Sequence, residues 1–119
     1  MVEISRIEKS ITKDPRFITR FFGVEEQKFL TKKEQTKQYY QTIAANFAAK
    51  EAFSKALGTG IRGFRLSEVE ILRNELGAPY IKLSGKAAEI VQKLRLDFSV
   101  SQSHTDQHAI AIVVAYPIS

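Results

Sequence analysis

The sequence predicts a single α+β domain spanning residues 1–119, and three features of the chain support this fold class. In the first half, apolar residues recur at steps of three and four, which is the period of a helix packed on a core. In the second half, β-branched residues alternate with polar ones or follow one another, as they do in strands. The length suits one domain with its own core, and the absence of cysteine excludes disulfides and thiolate metal sites.

Helices are predicted through the first half. A first amphipathic helix is indicated by three isoleucines at helical spacing: Ile4, Ile7 and Ile11. Asp14-Pro15 is typical of the cap and first position of a second helix. Residues 25–41 are polar and rich in lysine, with helical propensity but few apolar anchors. The main helix is predicted from about Gln41 to Leu57, and its many alanines permit close packing against a sheet or another helix.

Strands dominate after Gly63. Two strands are predicted around Ile71 and Ile81, on either side of a turn at residues 74–79. Ser84 is expected to cap a helix from about Gly85 to Leu94. The last two strands would be joined by a tight polar connection, and the final one is apolar enough to be buried on both faces. In order, these three segments are the strand around Phe98, the connection Gln102–His108 and the strand Ala109–Tyr116.

The charge balance favours acidic partners and gives no sign of a membrane. Eighteen Lys and Arg residues against thirteen Asp and Glu give a net charge of +5. Neither an apolar run of spanning length nor a signal-peptide pattern is present, so we expect a cytoplasmic protein with no membrane partner. Basic residues follow one another at helical steps near the N-terminus, where they form either a solvated helix face or a binding face: Arg6, Lys9, Lys13, Arg16 and Arg20.

The segment Phe47–Gly60, FAAKEAFSKALGTG, carries the clearest chemical signal. Glu51 and Lys55 are four residues apart and therefore share one face of a helix. Gly58, Thr59 and Gly60 follow as a turn that ends the helix and leaves backbone amides free. A carboxylate, an ammonium and free amides suit a divalent cation and a phosphate. The ordinary interpretation is a helix-stabilising ion pair between Glu51 and Lys55.

Three segments of the chain resemble the holo-acyl-carrier-protein synthases, the short trimeric branch of the 4′-phosphopantetheinyl transferases. They are FAAKEAFSKALGTG, the N-terminal Glu3–Ile7 and the segment Ser101–Thr105, SQSHT, in the family's order and spacing. The resemblance implies a compact α+β fold that assembles as a homotrimer. It also implies transfer of the 4′-phosphopantetheine group from coenzyme A to a serine of apo acyl carrier protein, in fatty acid biosynthesis.

The same resemblance assigns roles to individual residues. Glu51 would be a Mg²⁺ ligand, and Lys55 would contact the phosphates and stabilise the leaving group. Ser103, His104 and Thr105 would contact a phosphate of coenzyme A, with His104 also able to take part in proton transfer. By spacing alone, His104 would more often be a structural or merely exposed residue of a turn.

The acyl carrier protein would dock on the basic face. The residues that match this region of the family are Arg6, Lys13, Arg16, Phe17 and Arg20. Carrier proteins are small and acidic, so the basic side chains would steer them, while Phe17 would be either the apolar anchor or a core residue.

Two departures from the family pattern bear on the site. Asn46 stands where many family members have an arginine, which removes a possible phosphate contact. The family's second metal ligand is an aspartate just before the segment that matches Val2-Glu3-Ile4, and Met1 stands at the position after it. Either the natural start lies upstream and the chain is N-terminally shortened, or this form has lost half of its metal site; in both cases we expect the 119-residue chain to bind Mg²⁺ and coenzyme A weakly.

Two other functions fit parts of the sequence. A non-catalytic binding module for an acidic carrier protein would agree with the reduced metal site and with Asn46, while the KEAFSK and SQSHT segments favour the transferase. An RNA-binding α+β domain would agree with the basic composition. The chain lacks an aromatic RNA-binding motif or a glycine-rich clamp, so we expect no nucleic-acid partner.

Overall fold

The computed structural model describes residues 1–32, 36–58 and 63–118 and confirms the α+β class. The five helices of the described residues are α1 (Ile4–Lys13), α2 (Phe17–Phe21), α3 (Val24–Thr31), α4 (Lys37–Leu57) and α5 (Gly85–Leu94). The strands are β1 (Val2–Glu3), β2 (Val69–Arg73), β3 (Pro79–Leu83), β4 (Leu96–His104) and β5 (His108–Pro117). A single 3₁₀ turn, Leu66–Glu68, precedes β2.

The strands form two antiparallel sheets. β5 lies between β1 and β4, with Val2 opposite Ala109 and Val100 opposite Val113. β2 and β3 form a separate hairpin in which Ile71 is opposite Ile81. The hairpin turn is held by the Asn74 side chain, whose Oδ1 accepts hydrogen bonds from two backbone amides of the turn.

Helix α4 crosses the molecule and contributes to both parts of the core. Its first half packs with α1, α2 and α3 around Ile43, and its second half packs with β2 and α5 around Phe53. The helix begins at Lys37 because Thr36 caps it, and it ends where Gly58 adopts φ 85°, as predicted for the glycine turn. None of the described helices is long and apolar enough to cross a membrane.

A fully buried ion pair joins α3 to α4. Lys50 Nζ lies 2.6 Å from Glu26 Oε1, and both side chains have no exposed surface. The lysine donates further hydrogen bonds to the carbonyls of Leu66 and Val69, while the other carboxylate oxygen, Glu26 Oε2, accepts from the Ile71 amide. Burial raises the pKa of Glu26 and lowers the pKa of Lys50, and the attraction between the two charges opposes both shifts.

Two glutamates, Glu68 just before β2 and Glu70 within it, cap helices that are distant in sequence. Glu70 Oε2 accepts hydrogen bonds from the amides of Glu25 and Glu26 at the start of α3. The carboxylate of Glu68 accepts from the first amides of α5 in the same way. A negative charge at a helix N-terminus satisfies free amides and complements the helix dipole. Gly23 is required for this approach, because an added Cβ would overlap the Glu70 carboxyl.

Two sequence-based expectations are corrected. β5 is not buried on both faces: Ile110, Ile112 and Val114 alternate along it and are exposed, because α4 covers one face only. Ser84 occupies the N-cap position of α5, but its side chain makes no capping hydrogen bond, and Glu68 performs this function.

We predict that Lys50→Met destabilises the fold by about 3–5 kcal/mol, because it leaves the Glu26 carboxylate buried without its counter-charge. Urea unfolding measures the loss, with Lys28→Met on the exposed face of α3 as the matched control, expected to cost less than about 0.5 kcal/mol. The double variant Glu26→Gln/Lys50→Met should recover part of the loss. Equal effects of Lys50→Met and Lys28→Met would contradict this role.

Candidate active site

Glu51 lines a small cleft between the N-terminal strand, α1 and α4. The cavity measures about 280 Å³, and its lining includes Val2, Glu3, Arg6 and Phe47. Glu51 is half-buried and has no hydrogen-bond or ion-pair partner in the described part of the chain. A carboxylate that no described protein group engages can offer both of its oxygens to a ligand.

Lys55 lies one turn further along α4 and is exposed. It forms no ion pair with Glu51, nor with any other described residue, so the helix-stabilising pair expected on the ordinary interpretation is not formed. Gly58 ends the helix beside it with φ 85°. Thr59 and Gly60, the other two predicted phosphate contacts of this turn, lie outside the described residues.

The donor set around Glu51 fits a Mg²⁺ ion that is shared with a substrate. Mg²⁺ prefers oxygen ligands and usually takes one or two carboxylates, completing its shell with waters and substrate phosphates. Glu51 offers one such oxygen donor, and Glu3 lines the same cleft with its carboxylate already accepting a hydrogen bond from Ser5 Oγ at 2.8 Å. Across the described residues there is no cluster of three or more side chains of the kind that holds a metal without help from a substrate.

Ser103 and His104 line a second cavity at the end of β4. It measures about 180 Å³, and its lining includes Thr42, Arg73 and Gln102. His104 is exposed, with Nδ1 3.4 Å from the carbonyl oxygen of Thr105. Thr105 lies in the turn, where its Oγ1 accepts hydrogen bonds from the amides of residues 107 and 108, so the hydroxyl keeps its proton for donation.

The two cavities have no lining residue in common, so one copy of the chain does not bring Glu51 and His104 together in a single pocket. Glu51 belongs to the cleft on the N-terminal side, whereas His104 belongs to the cavity at the far end of the sheet strand β4. The predicted catalytic residues are therefore divided between two places on the single chain.

The basic side chains of the predicted docking face are exposed, but Phe17 is not. Its exposed members are Arg6, Lys13, Arg16 and Arg20. Arg20 also contacts Asp14 at 3.4 Å and lies over the Phe21 ring. Phe17 is 8 % exposed and packs against Phe21 and Phe47, so it is a core residue and does not project as an anchor. Its position on the inner face of the short helix α2 explains this burial.

Asn46 belongs to a hydrogen-bond network in the protein interior. Its amide nitrogen donates to Glu26 Oε2 and to the carbonyl of Ile71, and its oxygen accepts from Gln102 Nε2. The residue is 3 % exposed, which leaves it no surface for a ligand. Sequence reasoning missed this network, because its members are 20 to 56 residues apart and no local pattern links them.

Comparison with known proteins defines the class. The family model of the 4′-phosphopantetheinyl transferase superfamily matches residues 1–113, and the chain belongs to this family. A holo-acyl-carrier-protein synthase of Clostridium botulinum (strain Eklund 17B / Type B) is 45 % identical over 115 residues, covering 95 % of this chain and 91 % of that protein.

Solved structures agree in fold. The holo-acyl-carrier-protein synthase of Helicobacter pylori in complex with coenzyme A is 34 % identical with a TM-score of 0.80, over 97 % of this chain and 95 % of that one. The enzyme from Neisseria meningitidis is 30 % identical with a TM-score of 0.86, over 97 % and 92 % of the two chains. The fold and family expected from the three sequence segments are thus confirmed.

Proposed function

We propose that this chain is a holo-acyl-carrier-protein synthase. It transfers the 4′-phosphopantetheine group of coenzyme A to a serine hydroxyl of an apo acyl carrier protein and releases adenosine 3′,5′-bisphosphate. The observation that carries the proposal is Glu51, a half-buried carboxylate without a described partner, one helical turn before an equally unpaired Lys55. Family membership and the 45 % identity to a named synthase support the same reaction.

Glu51 and Lys55 have different roles at the pyrophosphate of coenzyme A. Glu51 holds Mg²⁺, which when bound polarises the attacked phosphorus and neutralises charge on the pyrophosphate oxygens. Lys55 lies on the same helical face and offers its ammonium to the leaving phosphate oxygen as charge develops there. The serine proton leaves to Glu51 or to a water beside it. The weak Mg²⁺ binding expected from the sequence stays a prediction.

Ser103, His104 and Thr105 bind a phosphate of coenzyme A. Ser103 and His104 end β4 and Thr105 follows in the turn to β5, so the ladder between the two strands holds the backbone from which these side chains extend. The Helicobacter pylori synthase contains coenzyme A in its structure, which supports coenzyme A as the donor here. The His104 ring is exposed, so a ring N–H can donate to an anion.

The active form is a homotrimer with each site shared between two copies. The exposed face of β5 supports this assembly, because a single chain leaves four large apolar side chains of one strand in water: Ile110, Ile112, Val114 and Tyr116. The division of Glu51 and His104 between two cavities supports it as well, since a second copy can bring its own His104 to the Glu51 cleft.

The acyl carrier protein binds the basic face beside the Glu51 cleft. Arg6 lines that cleft itself, so a carrier protein held by Arg6 and Arg16 presents its serine close to Glu51. Complementary charge raises the rate of encounter and fixes the orientation of the bound partner.

Lys55→Met is expected to lower kcat/KM for phosphopantetheine transfer about 10²–10³-fold, the usual cost of removing a group that stabilises transition-state charge. The measurement is transfer of labelled phosphopantetheine from coenzyme A to apo carrier protein in Mg²⁺. Unfolding free energy should change by less than about 0.5 kcal/mol, because Lys55 is exposed and has no described partner.

Lys93→Met, an exposed lysine in the last turn of α5, is the matched control and should keep normal turnover. Normal turnover of Lys55→Met would contradict the leaving-group role. If the wild-type chain binds carrier protein but transfers no phosphopantetheine, the protein is a binding module and not a transferase.

Charge reversal at Arg6 and Arg16 is expected to raise KM for the carrier protein by at least about tenfold and to leave KM for coenzyme A unchanged. The control, Lys86→Glu/Lys93→Glu, makes the same charge change on α5, away from the proposed face. If both double variants raise the carrier-protein KM equally, net charge rather than this face governs binding.

A further inference from the structure

A cavity beside helix α2 has no part in the proposed reaction. It measures about 510 Å³ and lies between α2 and the 3₁₀ turn that precedes β2. Its lining comes from these two segments: Thr19, Arg20, Phe21, Arg65, Leu66 and Ser67. We propose that this Arg65 cavity binds an acidic side chain of the carrier protein at a point away from the reactive serine, and that Arg65 thereby determines which carrier proteins are bound. This inference rests on the proposed function.

The Arg65 cavity carries positive charge that no carboxylate of its lining neutralises. The Arg65 side chain is exposed and has no hydrogen-bond or ion-pair partner in the described part of the chain; only its backbone amide is engaged, by Glu68. Arg20 supplies a second guanidinium, and its ion partner Asp14, at 3.4 Å, does not line the cavity. The planar fork of a guanidinium matches the two oxygens of a carboxylate, so this pair suits an acidic side chain.

The remaining lining suits a protein surface better than a free ion. Leu66 is buried and Phe21 half-buried, and both supply apolar surface to the cavity. The Arg20 guanidinium lies over the Phe21 ring, 5.2 Å from its centre. A small anion gains nothing from apolar surface, whereas an acidic residue of a partner helix brings apolar neighbours with it. The lining therefore favours a protein as the occupant.

Helix α2 connects the Arg65 cavity to the Glu51 cleft. Phe17 lines the cleft, and Phe21, about one helical turn later, lines the Arg65 cavity. The centres of these two rings are 5.0 Å apart, and α2 packs against the 3₁₀ turn that follows Arg65. A partner that presents a serine at the cleft and lies along α2 therefore reaches Arg65 with another part of its surface.

The acidic carrier protein is the partner that fits this surface. The exposed arginines of α1, α2 and the segment before β2 extend the basic face past the region that the sequence identified, from Arg6 to Arg65. Charge complementarity at several separate points fixes the orientation of a bound partner and excludes partners of the wrong charge pattern. Arg65 does not line the Glu51 cleft, so it acts on binding and not on the chemical step.

The test measures the binding and turnover of apo acyl carrier protein by wild type, Arg65→Gln and the control Lys93→Gln. Lys93 is exposed in the last turn of α5, so its variant removes the same charge outside the cavity. Fluorescently labelled carrier protein is titrated without coenzyme A to obtain Kd, and transfer assays give KM and kcat. We expect Arg65→Gln to raise both Kd and KM for the carrier protein about tenfold, as for the loss of one charged contact. Its kcat and its KM for coenzyme A should stay those of wild type, and Lys93→Gln should change none of these values.

The outcomes separate this inference from the proposed function. An unchanged Kd in Arg65→Gln, or equal weakening by Arg65→Gln and Lys93→Gln, would overturn the role of Arg65 and leave the transferase in place. A lower kcat with unchanged Kd and KM would overturn it as well, because Arg65 would then act on the reacting groups. A wild type that binds carrier protein without transfer would overturn the proposed function, while a tenfold loss of affinity in Arg65→Gln would still support the Arg65 cavity as a docking site.

Discussion

The buried ion pair between Glu26 and Lys50 is the interaction on which the arrangement of the site depends. Two opposite charges without exposed surface lie 2.6 Å apart, and each is tied to the backbone of the β2 region by further hydrogen bonds. Such a pair contributes little net stability but strongly disfavours alternative packings, because any shift leaves a charge buried alone. Lys50 immediately precedes Glu51, and consecutive helical residues point about 100° apart. Fixing Lys50 in the core therefore turns Glu51 towards the cleft beside β1 and α1.

The segment from Leu66 to Arg73 links the distant parts of the fold. Its carbonyls receive Lys50, and its two glutamates cap α3 and α5. The strand then ends at Arg73, next to the cavity that contains Ser103 and His104. One short piece of backbone thus fixes the rotation of the helix that carries Glu51 and ends in Arg73, which lines the second cavity. The two cavities differ in chemistry: Glu3, Arg6 and Glu51 line the Glu51 cleft, whereas Arg73 is the charged residue of the other cavity and no carboxylate lines it.

The sequence predicted the features that depend on interactions between residues close together in the chain. The isoleucine spacing of α1, the glycine at the end of α4 and the asparagine turn between β2 and β3 all depend on residues that are close in sequence. The roles of Lys50, Asn46 and Glu70 depend on contacts 20 to 45 residues away, and each of them has a polar side chain that a pattern assigns to the surface. The sequence did not decide whether Phe17 is buried, because its burial depends on contacts with distant residues such as Phe47. The sequence did not show that buried and exposed residues alternate along β5, because both faces of the strand are apolar. Only the packing of α4 on one face distinguishes them.

The most direct test of the account is subunit complementation between Glu51→Gln and His104→Ala. Each variant alone should be almost inactive in phosphopantetheine transfer, since each lacks one half of every site. Mixed and allowed to reassort, the two should recover about a quarter of wild-type activity, because in a symmetric trimer one neighbouring pair in four supplies both intact residues. Mixing that restores no activity, with both variants folded and exchanging subunits, would contradict a site shared between copies.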